Sequence, residues 1–175
     1  IELDKNYIKL FLKGGKKICA KNIIFTQKIE SSLHSQLNLS YEEKNYNQKA
    51  IVATLKHKTP HNGIAYQFYD NGKPLALLPL TKDNSFFRSS LIWSLDNYLA
   101  DDILSNDDLR EILNIKLGAL FKNIKISEGP ISFELDKFLL KGKPDIRLIF
   151  IGDSIRMMHP MAGQAWNQSL RDISY

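Results

Sequence analysis

A chain of 175 residues with 43% hydrophobic residues and a mean hydropathy of -0.26 has room for one domain, or one and part of a second. No apolar run approaches the roughly 20 residues of a membrane-spanning helix, and the single cysteine, Cys19, excludes an internal disulfide and a Cys-x-x-Cys metal site. The net charge of +5 rests on scattered lysines that are not interleaved with aromatic residues, which argues against a nucleic-acid platform and for a solvated surface with weak attraction to anionic lipid headgroups.

Taken in chain order, residues 1 to about 26 predict a strand pair. "YIKLFL" and an Ile18-to-Phe25 strand flank a turn at Lys13-Gly14-Gly15-Lys16-Lys17. "IESSLHSQLNLS" is polar and reads as a short helix or an irregular link. "KAIVATLKH" (49–57), "IAYQFY" (64–69), "LALLPL" (75–80) and "SFFRSSLIWSL" (85–95) are short strands separated by "TPHNG" and "DNGKP", the spacing of an antiparallel meander. The period then changes. Leu109, Ile112, Leu113, Leu117 and Leu120 recur at helical spacing, with Ser105 or Asn106 as the expected cap and Asp107-Asp108 in the expected first turn. Residues 131–140 return to strand character.

The last segment carries the chemistry. Ile146 to Ile151 reads as a strand, Gly152-Asp153 ends it, and a helix is expected after Gly163, with Trp166, Leu170 and Ile173 on one core-facing side. A strand, a tight loop and a helix N-terminus together cradle anions and cofactors.

"GDSIRMMHPMAGQAWNQSLRD" (152–172) resembles the second flavin motif of the class A FAD-dependent monooxygenases. The subgroup it is most similar to is that of the ubiquinone-biosynthesis hydroxylases, with the usual form GDAAHxxHPxAGQGxNxGxxD. Gly152, Asp153, His159, Pro160, Ala162, Gly163, Gln164, Asn167, Arg171 and Asp172 match. "NGIAYQFYDNGKPLALLPL" and "SSLIW" resemble the subgroup's upstream segments, so that the likeness covers roughly residues 48 to 175. It implies cofactor contacts at Gly152, Asp153, Pro160, Ala162, Gly163, Gln164, Ala165, Trp166 and Asn167, with Asp153 accepting hydrogen bonds from ribityl hydroxyls. His159 and Pro160 would lie near substrate, although His159 reads equally well as a loop histidine bonded to a carbonyl. No residue is assigned to the chemical step and none to a metal.

The resemblance also sets the expected architecture: an α+β or α/β fragment. Residues 1–40 would be a remnant of a para-hydroxybenzoate-hydroxylase-like FAD domain. Residues 41–143 would form a mostly antiparallel substrate-domain sheet with a packed helix, and 144–175 the returning strand, loop and helix. Two departures stand out. The chain holds no G-x-G-x-x-G turn, and the family's ADGxxSxxR stretch appears here as Thr26-Gln27-Lys28-Ile29-Glu30-Ser31-Ser32-Leu33-His34. In addition Ala165 and Ser169 replace glycines, and Ser154-Ile155-Arg156 replaces Ala-Ala-His. With a start at Ile1 and no signal-peptide pattern, we expect part of a longer enzyme, inactive as this piece alone.

The implied activity is hydroxylation of a polyprenyl phenol by reduced FAD and dioxygen, with NAD(P)H open as electron donor. The implied setting is the cytoplasm or the periphery of the inner membrane, beside other ubiquinone-biosynthesis proteins. The alternative is a non-catalytic remnant of a degenerate or split gene that serves as an interaction module.

Overall fold

The computed structural model describes residues 1–83, 85–159 and 164–174. In chain order its elements are β1 (Glu2–Leu3), β2 (Ile8–Phe11), β3 (Lys17–Ala20), β4 (Ile23–Phe25), α1 (Ser31–Leu37), β5 (Leu39–His57), β6 (Tyr66–Asp70) and β7 (Lys73–Asp83). They continue with β8 (Phe86–Asp96), α2 (Asn97–Ser105), α3 (Leu109–Leu117), β9 (Lys125–Gly142), β10 (Leu148–Phe150), β11 (Arg156–Met157) and α4 (Gln164–Ser174). The chain divides into two compact units, one of Ile1–Asn45 with Asp136–Tyr175, the other Tyr46–Leu135.

The Tyr46–Leu135 unit is the predicted antiparallel sheet with helices on it. Its strands run in the order β9-β5-β8-β7-β6. The register pairs Ile51 with Trp93, Ala53 with Leu91 and Leu75 with Trp93. Alternation along each strand sends these residues to one face, where Ile51, Leu55, Leu75, Leu77, Leu91 and Trp93 form a core with Leu109, Leu113, Leu117 and Phe121. Leu109, Ile112, Leu113 and Leu117 of the predicted stripe therefore do pack into this core, whereas Leu120, beyond the end of α3, is 42% exposed.

The helix boundaries differ from expectation. Ser105 and Asn106 close α2, a helix additional to the expected one, instead of opening α3: the Ser105 hydroxyl donates to the Asp102 carbonyl at 3.0 Å and the Asn106 amide to Asp102 Oδ1 at 2.9 Å. Asp107 takes a left-handed φ of 55°, and Asp108 is the N-cap of α3. Short polar side chains that suit a helix start also suit a helix end, and only the turn between the two helices decides which.

In the other unit β1, β2 and β3 make a small antiparallel sheet. The expected Ile18-to-Phe25 strand is broken at Lys21-Asn22. Its first part pairs with β2, while its second, β4, runs parallel to β10, with Ile23 opposite Leu148 and Phe25 opposite Phe150. Ile8, Ile29, Leu37, Leu39 and Leu148 are the buried centre of this unit. The strand expected over 146–151 is only three residues long, because Ile146 is 94% exposed and Arg147 is committed to a turn by two guanidinium bonds to Asp145. As expected, it lies outside the antiparallel sheet. In the same unit β11 pairs with the end of β9, Arg156 opposite Leu139 and Met157 opposite Phe138.

Candidate functional site

The site is built at the end of β10. The Phe25 and Phe150 rings stack at 4.8 Å across the parallel pair, and the Ile151 N–H continues the ladder by donating to the Phe25 carbonyl at 3.0 Å. The chain then turns sharply. Gly152 has φ +58°, and a Cβ there would meet Ser169 Oγ at 2.9 Å. Glycine thus suits the left-handed backbone and leaves room for the close approach of α4.

A single 3₁₀ turn over Gly152–Ser154 follows. Ser154 is fully buried, and its hydroxyl lies 2.7 Å from the Phe25 carbonyl while accepting the Ile151 N–H at 2.8 Å. The Ser154 carbonyl accepts the Tyr41 hydroxyl at 2.8 Å, and the Tyr41 oxygen accepts the Ile29 N–H at 3.3 Å. Burial pushes the Tyr41 phenol up from its ordinary range. On the far side of the turn Asp172 accepts the Gly152 N–H at 3.2 Å and pairs with the Arg156 guanidinium. The departures Ser154 and Arg156 therefore both help to hold the turn, Ser154 by its bond to β4 and Arg156 through its pairing with Asp172 of α4.

Asp153, between them, is left exposed on the turn. With Thr26, Gly152, Ala165, Trp166 and Ser169 it lines an open groove of about 380 Å³, which Ile151 and Ile173 complete. Its carboxylate makes no hydrogen bond or ion pair to a described residue, so both oxygens are available as acceptors. Gln164, Ala165, Trp166 and Asn167 form the exposed first turn of the eleven-residue α4, whose leading N–H groups have no partner within the helix.

Of the residues proposed from the sequence, Gly152, Asp153, Ala165 and Trp166 thus share one groove. Gln164 and Asn167 stand on the adjoining helix turn without lining it. His159 is half-buried, burial pushes its imidazole down, and it does not line the groove. Pro160, Ala162 and Gly163 lie outside the described residues. The expectation that Trp166, Leu170 and Ile173 are core is corrected: they are 71%, 49% and 65% exposed. Helical spacing put them on one side of α4, but no described element covers that side.

Two positions of the altered ADG-like stretch have structural uses. Lys28 reaches Glu43 at 2.6 Å and lies over the rings of Phe138 and Tyr41 at 4.8 and 5.4 Å. The His34 ring packs edge-on to Tyr41 and its Nε2 is 3.1 Å from the Ile29 carbonyl. In the sequence Thr26 and Ser169 stand out only as departures from the family pattern, Thr26 in the altered ADG-like stretch and Ser169 in place of a glycine. Tyr41 was missed, and nothing local marks it.

No protein-family model matches the chain. Among curated proteins it is similar to the ubiquinone hydroxylase UbiL of Rhodospirillum rubrum, 26% identical over 173 residues, which cover 98% of this chain and 39% of the relative. It is also similar to the mitochondrial ubiquinone biosynthesis monooxygenase COQ6 of Danio rerio, 25% identical over a 206-residue alignment that covers 97% of this chain and 42% of the relative. The chain spans about two-fifths of the length of the curated relatives it matches. Among solved structures, the flavin-dependent halogenase CmlS aligns with a TM-score of 0.71 at 13% identity over 96% of this chain and 32% of that one. Aklavinone-11 hydroxylase, solved with FAD and aklavinone, aligns with a TM-score of 0.69 at 12% identity over 94% of this chain and 32% of that one. In sequence the chain resembles the ubiquinone hydroxylases, and in fold it resembles a part of the FAD-dependent hydroxylases and halogenases.

Proposed function

We propose that these residues serve an FAD-dependent hydroxylase of ubiquinone biosynthesis that acts on a polyprenyl phenol. The Tyr46–Leu135 sheet would belong to the substrate side and the Gly152–Asp153 turn to the cofactor side. The likeness to the ubiquinone hydroxylases supports the reaction class. The observation that carries the cofactor assignment is Asp153: an exposed carboxylate, unpaired among the described residues, on a glycine turn and in one groove with the first turn of a helix. The alternative of a non-catalytic interaction module draws no support from these relatives.

The residues fit one end of the cofactor. Asp153 offers two acceptor oxygens to the ribityl hydroxyls, and a carboxylate acceptor is worth roughly 1.5–3 kcal/mol per hydrogen bond. The first N–H groups of α4 favour negative charge beside them. Ser154 and Asp172 keep the turn in place by bonding its backbone, so that binding does not have to order it. FAD, when bound, supplies the oxygen-transfer chemistry. A prenylated substrate would place the enzyme at the periphery of a membrane.

Flavin titration of the 175-residue chain tests this. Riboflavin, which carries the isoalloxazine and ribityl groups, should quench in a saturable manner with weak affinity, and AMP should not compete. Asp153→Ala should weaken riboflavin by about tenfold or more. Equal affinity in wild type and variant would remove Asp153 from the site.

A further inference from the structure

The chain's basicity is less scattered than it first reads. From Lys5 to Ile29 there are seven lysines and no aspartate or glutamate. Those seven charges exceed the chain's net +5 and leave −2 for everything else. The stretch contains the β2–β3 hairpin, in which every residue from Phe11 through Cys19 is exposed.

The hairpin end is also apolar. Phe11, Leu12 and Ile18 are 47%, 43% and 45% exposed. The register sets Phe11 opposite Lys17 and Leu10 opposite Ile18, so Phe11 and Ile18 fall on opposite faces of the ribbon. The Leu12 N–H donates to the Lys16 carbonyl at 2.9 Å and the Gly15 N–H to the Leu12 carbonyl at 3.1 Å, which closes the turn. Gly14 and Gly15 supply its φ values of +95° and +79°. The end is thus a closed wedge, apolar on both faces and at its point. Lys13, Lys16 and Lys17 surround it, and none of them is salt-bridged to a described residue. Lys17 Nζ lies 5.4 Å from the Phe11 ring centre.

We propose that the β2–β3 hairpin end docks the protein on an anionic lipid bilayer, the apolar wedge entering the headgroup region and the lysines pairing with lipid phosphates. Charge alone would also suit nucleic acid. A phosphodiester backbone, however, offers no apolar layer to bury Leu12 and Ile18, and the hairpin presents one aromatic ring, not a stacking row. The proposal rests on the hairpin and does not depend on the hydroxylase reading.

Co-sedimentation of the 175-residue chain with vesicles decides it. Vesicles of phosphatidylcholine containing one-third phosphatidylglycerol should bind the chain, pure phosphatidylcholine should not, and binding should fall with added salt. Reversing Lys13, Lys16 and Lys17 to glutamate should lower partitioning by about a hundredfold or more. Leu12→Ser, which leaves the charge intact, should lower it by roughly tenfold. Reversing Lys122 and Lys125, in the other unit, should change it little. Retained binding in the triple variant, or an unchanged Leu12→Ser, would overturn the proposal. So would duplex or single-stranded RNA that binds as tightly as the anionic vesicles and competes with them.

Discussion

Tyr41 and Ser154 lie 113 residues apart, and the tyrosine hydroxyl donates to the serine carbonyl at 2.8 Å. The same oxygen accepts the Ile29 N–H, so one phenol ties β5, the approach to α1 and the Gly152 turn together. Tyr41→Phe keeps the ring against Phe138 but leaves a carbonyl and an N–H without their partner. It should cost about 1–2 kcal/mol, read as a lower urea midpoint.

Gly152 and Ser169 should be energetically coupled. Gly152→Ala carries a left-handed backbone penalty of about 1–2 kcal/mol, and its Cβ also presses on Ser169 Oγ. Ser169→Gly removes the pressure without relieving the backbone. A double-mutant cycle should therefore show a favourable coupling of about 0.5 kcal/mol or more, with the Gly152→Ala penalty still present in the double variant.

His57 makes the stability of the sheet unit depend on pH. It is almost fully buried, with Nδ1 2.7 Å from the Thr59 carbonyl and Nε2 2.9 Å from Ser89 Oγ, and burial holds its pKa below the ordinary 6.5. Because the folded value is depressed, the unfolded chain binds the proton first as pH falls. Stability should therefore be constant above about pH 7 and decline below 6.5. Urea midpoints between pH 8 and pH 5 should follow that slope, and His57→Gln should make it shallower.

Asp145 acts at a lower pH. The Arg147 guanidinium, and then the Arg147 N–H, hold its carboxyl at about 2 instead of 3.8. With a depressed folded value the contribution is complete above 3.8 and is lost as pH falls toward 2. Asp145→Asn should raise the pH at which acid unfolding begins when that is followed by circular dichroism. It should leave the neutral-to-pH 5 behaviour set by His57 unchanged.

What could be read from the sequence was local. The short strands read at 49–57, 64–69, 75–80 and 85–95, the "TPHNG" and "DNGKP" turns between them and the leucine stripe from Leu109 already specify an antiparallel meander carrying a helix. Period and turn chemistry act over a few residues, and the burial they need lies within the same unit. Gly152, Asp153 and the start of α4 were legible for a related reason, since a strand end, a glycine turn and a helix start follow one another directly in the chain. Tertiary structure decided the rest. The β4–β10 pair joins residues 125 apart, which divides what looked like one strand at Lys21-Asn22. Ser154 and Arg156 read as departures from a pattern until the partners Phe25, Tyr41 and Asp172 came within hydrogen-bonding distance. Trp166, Leu170 and Ile173 share a helix face because 3.6 residues make a turn, but periodicity sets which residues face together and not what covers them. Covering depends on elements brought in from elsewhere in a fold, and that is why this face is open here.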